Sequence, residues 1–118
     1  MRIEDLPRAI AEHPRFGPQV AEAVRLGRRL ILNYHHHGDP TTWCVAVCVS
    51  GADSPLRIFG QEEVLEELAH IRGFGRDEAE GLDRCLDLGR ALQEFHGLEE
   101  LPELYLQGRP WPASNGGA

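Results

Sequence analysis

Lysine is absent: all twelve basic residues of the chain are arginine. That removes Schiff-base chemistry and the phosphate-gripping lysine of a P-loop. Cysteine is scarce, with three residues, at positions 44, 48 and 85. On a strand, Cys44 and Cys48 point the same way but stand roughly 13 Å apart at about 3.3 Å per residue. A disulfide needs Cα atoms within about 7 Å, so these two do not pair. The expectation is three reduced thiols buried as small hydrophobes. No apolar run approaches the ~20 residues of a membrane span, and the first residues lack the basic and apolar regions of a secretory leader. These absences predict a cytoplasmic protein with no membrane association.

Positive charge is also in short supply. The net charge is −7, which argues against nucleic acid as a partner. The deficit is uneven. Residues 1–37 carry six arginines against four acids, and residues 38–118 carry six against fifteen. Arg25, Arg28 and Arg29 crowd the end of an expected helix. They are candidates for an anion site, but cations at a helix C-terminus are favoured by the macrodipole without any ligand, and that account is preferred.

What the chain does have is concentrated in residues 29–49. Leu30 to Tyr34 and Trp43 to Val49 are strand-like runs, separated by Gly38-Asp39-Pro40-Thr41-Thr42, which has the chemistry of a turn. An antiparallel hairpin follows. If His37 and Trp43 flank the loop, His36 faces Cys44, Tyr34 faces Ala46 and Leu32 faces Cys48. The second strand is apolar on both faces, which places it centrally in a sheet. Trp43, Val45, Val47 and Val49 then need cover from a second layer or a partner subunit.

Around the hairpin the patterns are helical. Asp5 and Pro7 open one short helix, and Gly17-Pro18 a second. Leu56 to Phe59 reads as a short third strand. Gln61 to Arg72 reads as a helix with a Val64/Leu65/Leu68/Ile71 stripe, opposite Glu62, Glu63, Glu66 and Glu67, and with Gly73 as its stop. Arg76 to His96 is a second long helix ending at Gly97. Pro102 forbids a continuous helix over 98–106, and Trp111 between two prolines is expected to dock into a groove. The predicted fold is a single α+β domain over residues 1–112: a three-stranded antiparallel β-meander with two helices before and two after. Residues 113–118 form a disordered tail.

Two chemistries compete at the hairpin end. His35 and His37 alternate along a strand and so share one face, a spacing from which two imidazoles can converge on Zn²⁺, with Asp39, the only nearby acid, or a residue from a helix as the third ligand. His36 and Cys44, if opposite, form a Cys–His pair with Asp39 placed to orient the imidazole. Both are set below a plainer account, in which polar residues meet solvent at a strand end. No cofactor is assigned. The expectation is a non-catalytic interaction or regulatory protein that self-associates as a homo-oligomer and has a possible protein partner. The alternative is a small metal-dependent or thiol enzyme with its site at this hairpin end.

Overall fold

The hairpin is the frame on which the rest of the chain is laid. In the computed structural model, which describes residues 5–50 and 65–111, β1 (Leu30–His35) pairs antiparallel with β2 (Trp43–Ser50). The register is one residue off the expected one: His35 lies opposite Cys44, Tyr34 opposite Val45 and Leu32 opposite Val47. A one-residue slip exchanges the faces of one strand relative to the other. Leu30, Leu32 and Tyr34 therefore share a face with Trp43, Val45, Val47 and Val49, while Ile31, Asn33 and His35 share the other with Cys44, Ala46 and Cys48.

The larger correction concerns residues 65–75. The expected helix over 61–72 is replaced, in its described part, by an 11-residue strand, β3 (Leu65–Gly75), antiparallel to β2. Both readings accommodate Leu65, Leu68 and Ile71. A strand places Ala69 and Ile71 on one face when Leu68 is an extra, unpaired residue, and the register does shift there, with Val47 opposite Ala69 but Cys48 opposite Glu67. β2 is buried on both faces and along both edges, and the neighbour it requires overrides the helical spacing. Gly73, expected to stop a helix, lies in a second irregularity, between the Cys44–Arg72 and Trp43–Gly75 pairs. The strand expected at 56–59 lies outside the described residues, as does the tail at 113–118.

The described residues thus form an α+β fold with three helices and a five-stranded mixed sheet, in place of the expected three-stranded meander with two helices on each side. α1 (Leu6–Ala11) and α2 (Phe16–Arg25) precede the hairpin, and only α3 (Glu78–His96) follows β3. Asp77 caps α3 by accepting from the Glu80 N–H at 2.8 Å. β4 (Glu103–Leu106) runs parallel to β1, and β5 (Arg109–Pro110) folds back on it, giving the order β3-β2-β1-β4-β5. Gln107 and Gly108 make the two-residue turn with φ of 52° and 80°, the positive values that such hairpins require. Trp111 is half-buried against the core.

The helices lie on one face of the sheet. Leu82, Cys85, Leu88 and Leu92 of α3, with Ile10, Val20 and Ala23 of α1 and α2, cover Leu32, Tyr34, Trp43, Val45 and Val47. The valine face is covered by the chain's own helices, so the packing argument for a partner subunit on that face no longer applies. The opposite face holds a smaller buried cluster of Ile31, Ala46, Cys48 and Tyr105, drawn from strands alone. No helix among the described residues is long and apolar enough to cross a membrane.

Candidate metal centre

The corrected register changes which side chains meet. His35 ends β1 and sits opposite Cys44. His70, on β3, sits opposite Ala46, one step along the same face of β2 from Cys44. His37 follows His35 by two residues and projects to the same side. Three adjacent strands, with the loop that follows β1, therefore direct His35, His37, Cys44 and His70 toward one point. One ligand atom from each lies within 4.8 Å of the others.

The spacing is that of coordination chemistry. His35 Nε2 is 3.2 Å from His37 Nε2 and 3.2 Å from His70 Nε2. A tetrahedral ion with bonds of about 2.0–2.1 Å to nitrogen holds neighbouring nitrogens about 3.3–3.4 Å apart. The rings are tilted toward one another, with His35 at 82° to His37 and 46° to His70. Cys44 is 2% exposed and His35 9%, while His37 and His70 are exposed. An ion would be seated on the sheet with one side toward water.

The surroundings prepare His35 as a ligand. In its Nδ1–H tautomer the ring donates to the Asn33 carbonyl at 3.2 Å, leaving the Nε2 lone pair aimed at the centre, the second contact that metal-bound imidazoles ordinarily make. Burial, with the neighbouring histidines adding to it, lowers the His35 pKa below its usual 6.5. The ring is thus held neutral, the form that binds metal. Asn33 is itself fixed, since its Oδ1 accepts from the Gly108 N–H at 2.8 Å.

Of the residues singled out in the sequence, His35, His37 and Cys44 come together. Asp39 does not join them. It accepts from the Thr41 N–H at 3.0 Å, the Thr41 hydroxyl at 2.6 Å and the Thr42 hydroxyl at 3.3 Å, and these bonds keep its carboxylate in the loop and hold its pKa down. The expected His36–Cys44 pair does not form. His36 lies on the helix face, edge-on to Trp43 with ring centroids 4.6 Å apart.

Each of the three arginines crowding the end of α2 is paired with an acid. Arg25 pairs with Glu22 at 2.5 Å, Arg28 with Glu66 at 3.0 Å and Arg29 with Glu103 at 2.6 Å. The other two thiols are buried away from this cluster. Burial, helped by the Glu67 charge, pushes Cys48 up to about 12, and burial likewise raises Cys85. His70 was missed because its segment reads as a helix. Taking residues 65–75 as a strand beside β2 is the step that would have found it. Comparison with protein-family models, curated proteins and solved structures found no match.

Proposed function

We propose that the protein is a metalloprotein that binds one zinc-class divalent ion through His35, His37, Cys44 and His70. The observation carrying this reading is the convergence of four ligand atoms, from three adjacent strands and the loop after β1, within 4.8 Å. Three imidazoles and a thiolate suit Zn²⁺ and exclude the hard, oxygen-seeking ions Mg²⁺ and Ca²⁺. Bound there, the ion cross-links β1, β2 and β3; four protein ligands fill a tetrahedral shell, so an outside ligand on the side toward water would raise it to five-coordinate.

The test is metal content of untagged protein after dialysis against a mild chelator, followed by zinc titration. One zinc per chain is expected. His35→Ala and Cys44→Ser should abolish tight uptake, and His36→Ala should leave it intact, because that ring lies on the other face. Cobalt(II) in place of zinc should show a sulfur-to-metal charge-transfer band that Cys44→Ser removes. Protein that takes up neither ion would refute the reading and return the chain to a non-catalytic interaction module.

A further inference from the structure

Resting on that metal reading, we propose that the loaded centre takes a small oxyanion, a carboxylate or a phosphate, as a fifth ligand, expanding the tetrahedral ion to five-coordinate, anchored by Arg72. Arg72 stands opposite Cys44 in the β2–β3 register and alternates with His70 along β3, which puts its side chain on the metal face. It is exposed. Among the described residues it makes no ion pair, whereas Arg25, Arg28, Arg29, Arg76, Arg84 and Arg90 each hold an acid.

Charge points the same way. A divalent ion with one thiolate and three neutral imidazoles keeps a net positive charge, and Arg72 adds a second. Among the described residues no carboxylate belongs to the ligand cluster. Asp39 is engaged by Thr41 and Thr42. Glu67, the acid on the same face of β3, lies opposite Cys48, roughly 13 Å along β2 from Cys44 at about 3.3 Å per residue. In a chain of net charge −7 the described residues thus leave a local excess of positive charge on the water-facing side of the ion. An oxyanion with one oxygen on the ion leaves another for the guanidinium fork, whose planar donors match carboxylate and phosphate oxygens.

The test uses the full chain loaded with cobalt(II), whose visible absorption reports a change in coordination. Acetate and, separately, methylphosphonate are titrated at constant ionic strength. A saturating spectral change with at least one of them is expected, and the tighter of the two names the ligand type. Arg72→Gln should weaken that binding about tenfold or more, the loss expected for a charge-assisted hydrogen bond, with cobalt stoichiometry unchanged. Arg72→Lys, which keeps the charge but loses the fork, should fall between. Spectra that neither anion alters, or an unchanged affinity in Arg72→Gln, would overturn the anion site and leave the metal reading standing. Failure to take up cobalt would defeat the metal reading first.

Discussion

Tyr34 is the side chain through which sheet and helix approach most closely. Its ring stacks on Trp43 at 4.5 Å and meets Phe74 edge-on at 6.4 Å, and its hydroxyl donates to the Asp77 carbonyl at 2.8 Å. The phenol occupies space left by two glycines: a Cβ on Gly81, or on Gly75, would fall inside it. Gly81 sits in the first turn of α3, where replacing glycine by alanine ordinarily gains about 1 kcal/mol. Here the sign reverses. Gly81→Ala should destabilise the fold by about 3 kcal/mol, the cost of forcing apart a packed core, read as a lower urea midpoint. The sequence marks Gly81 and Gly89 alike as costs to a helix. Gly89 looks the closer-packed of the two because it lies on the apolar stripe, and only the ring of Tyr34 shows that Gly81 is. His35 and His37 were legible as a pair, because strand alternation is a local rule. Cys44 as their neighbour was not, since it depends on a register that a single residue of loop length decides.

At the scale of elements, the hairpin was legible to within a residue at each end and α3 to within two, with Gly97 as its stop, while its Asp77 cap went unread. β3 was not. Leu65-Glu66-Glu67-Leu68-Ala69-His70-Ile71 carries a helical stripe and a run of acids, and nothing within the segment reveals that β2 requires a partner. A bulge conceals the alternation that would have marked a strand. β4 was hidden by its length of four residues and by a pairing with β1 that crosses most of the chain. The metal reading makes its own prediction here. An ion bound by His35, Cys44 and His70 ties three strands together, so zinc should slow amide hydrogen exchange across residues 30–35, 43–50 and 65–75 while leaving α1 and α2 unchanged. Equal exchange with and without zinc would show that the ion does not bridge the strands.

For the whole molecule, pH is the simplest probe of the buried histidines. His96 is lowered below its usual 6.5 by burial, against a raising bond to Ala11, and among the described residues its Nε2 has no hydrogen-bond partner. His35 is lowered too, from the same 6.5. Both rings bind a proton more readily in the unfolded chain, so their contribution to stability is complete above pH 6.5 and is lost as pH falls through their folded-state values. The exposed carboxylates Glu22 and Glu80, also lowered from 4.5, respond only in a more acidic window. The melting temperature of metal-free protein should therefore hold steady above neutrality and fall as pH drops below about 6.5. His96→Gln should shrink that fall. A melting temperature unchanged over that drop in pH would contradict the burial of both rings. The α+β class was legible from the order of patterns along the chain. The segregation of every described helix to one face was not, because that follows from which strand faces are apolar and so from the register.

The parallel pairing of β4 with β1 has a meaning in time. All four proposed ligands precede residue 71, whereas the strand that seals the outer side of β1 begins only at Glu103. At a synthesis rate of about 5–20 residues per second, roughly 2–8 s separate the emergence of His70 from that of Pro110. Through that interval the nascent chain on the ribosome has its ligands but also an open strand edge, the feature most prone to pair with a neighbouring chain. An ion captured then would hold the hairpin in register before the C-terminal hairpin arrives. Metal supply during translation would then govern how much of the protein reaches its folded form, in addition to what the finished protein can do.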